Sequence, residues 1–167
     1  MTNTERTVRL RPPHHRVERR AILWWMLQSL LFTGAVLAAT IVAHARWAEA
    51  RPWIVVAVIG AAVFAFVVVV VEPLWRYVVH RWETTDEAVY ARTGWIVREW
   101  RVAPISRIQT VDAIRGPLEQ LLGLSTLRVT TASSKGAIDI GGLDKDVAAE
   151  VAERLTTITQ LTPGDAT

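Results

Sequence analysis

Arg51-Pro-Trp-Ile-Val-Val-Ala-Val-Ile-Gly-Ala-Ala-Val-Phe-Ala-Phe-Val-Val-Val-Val-Val-Glu-Pro-Leu-Trp75 is the stretch on which the fold turns. From Pro52 to Val71 it runs for twenty residues without a charged side chain. The hydrocarbon core of a bilayer is about 30 Å thick and takes about 20 apolar residues in a helix. A helix apolar on every face belongs in a membrane or at the centre of a large protein, and a chain of 167 residues is too short to be that protein. Val67 to Val71 is β-branched and favours a strand in water. In lipid the backbone must satisfy its own hydrogen bonds, so a helix is expected.

Upstream lies a second apolar run, Ala21 to Ala43, interrupted only by Gln28, Ser29 and two threonines, with Trp24-Trp25 at its start. Paired aromatics at that position suit a membrane interface. A polar turn, His44 to Arg51, separates the two runs. The expected unit is a transmembrane hairpin over residues 21–75, with helices at about 21–43 and 52–75. Residues 1–20 hold six arginines and Pro12-Pro13; with so few apolar residues they read as a disordered basic tail. Ala43-His44-Ala45 has the small-x-small form of a cleavage site, but the apolar core before it is longer than the 7–15 residues usual in a signal peptide. Six arginines before the first span, against Arg46 and Arg51 in the turn, place both termini in the cytoplasm by the positive-inside rule.

Charge divides the same way. The net of +3 is the sum of +5 over residues 1–76 (nine Arg, four Asp/Glu) and −2 over residues 77–167 (ten Lys/Arg, twelve Asp/Glu). The basicity therefore flanks the membrane rather than forming a nucleic-acid footprint. The chain has no cysteine, which excludes disulfides, thiol nucleophiles and thiolate metal sites.

Beyond Tyr77 the pattern changes to short β segments. Strands are expected at Val79–Thr84, Ala88–Arg92, Trp95–Val102, Ile105–Ala113, Leu124–Ala132 and Ala137–Ile140, with turns at Asp86-Glu87, Thr93-Gly94 and Ser133 to Gly136. Leu118 to Leu122 reads as one helical turn stopped by Gly123. Asp144 is an expected N-cap. After it, Val147, Val151, Leu155 and Ile158 recur at helical spacing, and Pro163-Gly164 ends the helix. Residues 162–167 are expected as a disordered tail.

No stretch carries a catalytic motif: there is no zinc-protease helix, phosphate loop or nucleophile elbow. No catalytic residue, cofactor site or metal site is assigned, and His14-His15 alone falls short of the three or four ligands a metal needs. Neither span contains Asp, Glu, Lys or Arg, which argues against ion or proton transport. Gln28 and Ser29 are candidates to bridge the helices, and Gly34 and Gly60 to let them approach. Glu72 is expected to pair with Arg76 one turn on. Arg98, Arg101 and Arg107, with Trp82, are the candidates for contact with lipid or a partner. Interleaved Glu99, Asp112 and Glu119 give the competing reading of an ordinary solvated face.

Arg81-Trp-Glu-Thr-Thr-Asp-Glu-Ala-Val-Tyr90, Gly94-Trp95, Val102-Ala-Pro-Ile-Ser-Arg-Ile-Gln-Thr-Val-Asp112 and Gly116-Pro-Leu-Glu-Gln-Leu-Leu-Gly-Leu-Ser-Thr-Leu-Arg-Val-Thr-Thr-Ala132 together resemble the bacterial pleckstrin-homology-like family of YdbS-type membrane proteins. The resemblance implies an α+β membrane protein. The hairpin would be followed over residues 76–161 by a PH-like split β-barrel of two antiparallel sheets, closed at one end by the C-terminal helix. Seven strands are expected, and the seventh is sought in Trp75–His80 or near Asp112–Arg115. The resemblance implies a multi-pass protein of the bacterial plasma (inner) membrane. It carries no established activity, so no functional residue is transferred. Fold alone does not choose among lipid, peptide and self-association. The leading expectation is a non-enzymatic scaffold that assembles with itself or a homologous membrane partner in envelope maintenance. The alternative is an anionic-lipid sensor. Membrane lipids are partners through the two spans; no nucleic acid and no small-molecule substrate is expected.

Overall fold

The computed structural model describes residues 13–46, 51–95, 97–132 and 136–161, without the side chains of residues 51, 52 and 54. The expectations for residues 1–12, for 47–50 of the inter-span turn, for Ile96, for 133–135 and for the tail 162–167 lie outside the described residues. Helix α1 spans Arg20–Arg46. Helix α2, Arg51–Phe66, runs through a π-helical segment, Val67–Val71, into α3, Glu72–Val79. The π segment has a local cause. Pro73 has no N–H and its ring crowds the carbonyl four residues back, and the N–H of Glu72 reaches five residues back to the Val67 carbonyl. Both rods are long and apolar enough to cross a membrane. At about 1.5 Å per residue they are about 40 Å long, so their ends outrun a core of about 30 Å.

The surplus length meets the β domain. Sheet A has the order β1 (His15–Arg16), β2 (Arg81–Thr84), β3 (Ala88–Thr93), β4 (Glu99–Pro104). Sheet B has the order β5 (Ile108–Ile114), β6 (Leu124–Thr131), β7 (Ala137–Asp144). Every pairing is antiparallel. Short helix α4, Pro117–Leu122, separates β5 from β6, and α5, Lys145–Leu161, follows β7. Val89, Leu124, Leu127, Val129, Ile140 and Leu143 form the shared core, with Ala148 and Leu155 of α5 packed against it. Asp144 caps α5 as expected, accepting the Asp146 N–H at 2.9 Å.

The seventh strand lies in neither place where it was sought. It is β1, ahead of the first span, with His15 opposite Trp82 and Arg16 opposite Arg81. The reading of residues 1–20 as a tail is thereby corrected from residue 13 onward. Val17 is 3% exposed within the core, and the Glu18 N–H donates to the Gly142 carbonyl at 2.9 Å. This segment touches both sheets, an arrangement that its polar composition conceals. Four strand boundaries also move. Strand β4 opens at Glu99 rather than Trp95 and runs to Pro104, because the chain turns through Gly94 to Arg98 before it can pair with β3. Helix α3 continues to Val79, so β2 opens only at Arg81. A 3-10 turn, Ile105–Arg107, precedes β5. Strand β7 continues past Ile140 through Gly141-Gly142, where strand propensity is low.

Those glycines exist for close approach. Gly142 has φ +79°, and a Cβ there would lie 2.6 Å from the Cβ of Ala21 on α1. A Cβ on Gly141 would press on the Trp24 ring at 3.3 Å. Gly34 and Gly60 behave differently: a Cβ on either meets nothing within 4 Å, so neither serves a close helix contact. Gly142→Ala is therefore expected to lower stability by about 2–4 kcal/mol, backbone strain and overpacking together. Gly136→Ala, at φ +71° in open space, should incur only the strain, about 1 kcal/mol. Thermal unfolding of the full chain in detergent compares the two.

Candidate functional site

The membrane rods enter the barrel at one joint. Trp25 of α1 is 2% exposed. The Arg76 guanidinium lies 4.6 Å over its ring, and the His80 ring lies 5.8 Å from it at an interplanar angle of 52°. Arg76 also faces Glu72 at 3.8 Å, the expected pairing along α3. On the other side of α1, Arg20 donates to the Leu122 carbonyl at 3.1 Å and to Asp144 at 2.7 Å. The Asp144 carboxyl is held below the usual carboxylate range, first by the Asp146 N–H and then by Arg20. One carboxylate thus caps α5 and anchors α1.

Beside the joint the barrel is split. Among the described residues β4 and β7 do not pair as strands, and a cleft of about 400 Å³ opens between the sheets. Trp24, Arg76 and His80 line its membrane end, and Thr93, Arg101 and Asp139 its walls. One side chain crosses the gap: Arg101 donates to the Ala137 carbonyl at 3.0 Å and to Glu99 at 3.0 and 3.2 Å. Asp139 is engaged on the outside by both arms of Arg128, at 2.7 and 2.9 Å. His80 is 4% exposed, and neither ring nitrogen has a hydrogen-bond partner among the described residues. Burial, and secondarily the charge of Arg76, lowers its pKa to about 4. Its imidazole is neutral at pH 7.

The outer face of sheet A carries a second feature at the same level. Arg81 and Arg92 are register partners. Arg92 donates to the Val79 carbonyl at 3.0 Å, and its guanidinium lies 5.5 Å from the Trp100 ring. Its pKa is lowered by burial and then by the charges of Arg81 and Arg98. The loop carrying Arg98 turns at Gly94, φ +114°, where a Cβ would strike the Val97 carbonyl. The Trp75 indole N–H, on the membrane rod, donates to the Trp95 carbonyl at 3.0 Å and holds this loop against the helix exit.

The sequence-predicted contacts do not form one group. Arg98 is exposed at the membrane end. Arg101 points inward and spans the cleft. Arg107 lies in the 3-10 turn beyond Pro104, which pairs with Ala88 at the opposite end of sheet A. Trp82 is corrected outright as a contact: it is 7% exposed, in the core, with His15 at 5.3 Å. Arg81 and Arg92 were missed, although a turn at Asp86-Glu87 sets them opposite each other. No cluster of three metal-binding side chains occurs among the described residues.

A split barrel of four and three strands, capped by one helix and carried on a two-helix hairpin, is the architecture of a membrane-bound PH-like protein. The family described as Bacterial PH domain matches residues 21–158, and the chain belongs to it. The UPF0699 transmembrane protein YdbS of Bacillus subtilis (strain 168) is 24% identical over 156 residues, which cover 92% of this chain and 97% of that protein. No solved structure matches.

The joint generates a pH prediction. An unfolded chain takes up a proton on histidine near pH 6.5, whereas the folded chain holds His80 neutral down to about 4. Between those values the unfolded state binds more protons, so stability falls as pH falls through that window. The ceiling for this one group is about 3 kcal/mol. His80→Gln is expected to flatten the decline in melting temperature between pH 7 and pH 4.5, while leaving the part due to carboxylates.

Proposed function

We propose that this protein is a non-enzymatic scaffold of the bacterial plasma membrane, with both termini in the cytoplasm. Its PH-like domain is held in one orientation, and it binds a second copy or a homologous membrane subunit in an assembly serving the cell envelope. The observation that carries this reading is the split between β4 and β7. The edge strands β4 and β7 line a common cleft, bridged by Arg101 at the Ala137 carbonyl, and an extended segment can add to a strand edge through main-chain hydrogen bonds. About 400 Å³ admits a few residues of chain. The charged side chains lining the cleft are engaged with one another or with neighbours, which suits peptide recognition better than reaction chemistry. The family adds no enzymatic description.

A second reading, attraction to anionic lipid, is favoured by the arginines and tryptophans on the outer face beside the helix exit. The scaffold reading is tested with a photo-crosslinking residue at Thr93 in the cleft and, separately, at exposed Ala149 on α5, in native membranes. Adducts from Thr93 alone are expected, at twice the chain mass for a second copy or containing one defined membrane protein. Equal labelling from both positions, or none from Thr93, overturns it.

A further inference from the structure

Arg81, Arg92 and Arg98 stand together on the outer face of sheet A, and Arg92 feels the charges of both others. Like charges this close oppose folding unless something answers them. No carboxylate of the protein does so among the described residues. The acids of the neighbouring elements are committed elsewhere: Glu99 to Arg101, Glu72 to Arg76, Glu83 to His14. The Nε of Arg81 is buried and has no hydrogen-bond partner among the described residues. Three guanidiniums with no ion-pair partner among the described residues therefore stand on a domain half that is net acidic by two charges (ten Lys/Arg against twelve Asp/Glu). General surface charge does not account for them.

Their height above the membrane identifies the counter-charge. A core of about 30 Å takes about 20 helical residues. Counted back from Glu72, the first charged residue after Arg51 in the second rod, that length reaches Trp53. Trp75, one turn past Glu72, lies in the interfacial layer, where tryptophan is favoured. Its bond to the Trp95 carbonyl brings the 94–98 loop to the same layer. Trp95, Val97 and Trp100 are exposed there, Val97 at 74%. Apolar and aromatic side chains beside unpaired guanidiniums match a lipid interface, with chains below and phosphates at the level of the arginines.

We propose that Arg81, Arg92 and Arg98, framed by Trp75, Trp95 and Trp100, form a binding site for the phosphate of an anionic phospholipid in the leaflet that the protein spans. This rests on the lipid-facing reading given above and assigns it a place. Arg98 is the exposed, adaptable arm. Arg92 is held in position by the Val79 carbonyl and the Trp100 ring, and Arg81 lies opposite it across the strand pair. Planar guanidinium forks suit phosphate oxygens. Arg107, at the far end of the sheet, has no part in the site.

The test uses the full chain, delipidated in a non-ionic detergent and titrated with phosphatidylglycerol or phosphatidylcholine, bound lipid being counted by native mass spectrometry. The wild type is expected to prefer phosphatidylglycerol. Arg98→Gln should weaken that binding about fivefold, the value of one surface charge, with phosphatidylcholine binding unchanged. Arg98→Lys should keep most of the preference, and Arg107→Gln all of it. Melting temperatures confirm that each variant is folded; among the described residues Arg98 has no side-chain hydrogen bond to lose. Equal losses in Arg98→Gln and Arg107→Gln, or none in either, overturn the site while the lipid-facing reading stands. A wild type without preference overturns both. Equally tight binding of soluble glycerol phosphate makes this a free-phosphate site and overturns the lipid assignment.

Discussion

Trp25 touches both a guanidinium and an imidazole, and the relation of the β domain to the membrane depends on those contacts. The tryptophan belongs to the first membrane rod; Arg76 and His80 belong to the end of the second. The rods are joined to each other where they are joined to the barrel. Gly141 and Gly142 let the first rod lie against β7, and Arg20 ties its start to Asp144 and to the end of α4. The C-terminal helix covers the core from elsewhere on the barrel. The membrane end is filled not by a soluble element but by the first turns of a transmembrane helix.

A domain closed in this way has little freedom to tilt. A rotation of the barrel away from the rods exposes Ala21 and Trp25, both almost fully buried. It also parts the Arg20–Asp144 ion pair, 2.7 Å long. The short exit from α3 to β2, a single residue at His80, has the same effect. Rigid attachment brings the 94–98 loop beside Trp75, and it sets the cleft between β4 and β7 close to the bilayer.

The cleft's acids are neutralised by arginines, His80 is kept neutral, and the intramembrane stretches hold no charge. Among the described residues, buried side-chain polar atoms without partners occur in two places: the Trp25–His80 joint and the edge of the arginine group at Arg81, with Trp82 beside it. Buried polar atoms left unpaired are costly, and both places lie at the membrane end. The far end of sheet A, by contrast, is closed by an ordinary exposed ion pair, Arg154 to Asp86.

The amino-acid sequence by itself determined the two spans, the antiparallel strands after them, the Asp144 cap and the amphipathic α5. Each is written in local composition: twenty uncharged residues, alternation around turns, apolar spacing at Val147, Val151, Leu155 and Ile158. Tertiary structure alone decided the rest. His15–Arg16 is polar and too short to announce a strand; it becomes one because Arg81 and Trp82 offer an open edge. Gly141-Gly142 reads as a strand's end, yet the strand continues because a helix from the far side of the sequence must pass there. Trp82 and Trp100 cannot be told apart by type, and only the packing of two sheets buries the first and leaves the second exposed. Arg98, Arg101 and Arg107 are near neighbours in the chain, but alternation and strand length send them to the membrane end, the interior cleft and the far end. Local pattern encodes what each segment becomes, and long-range packing decides which of its side chains are left for the membrane and for partners.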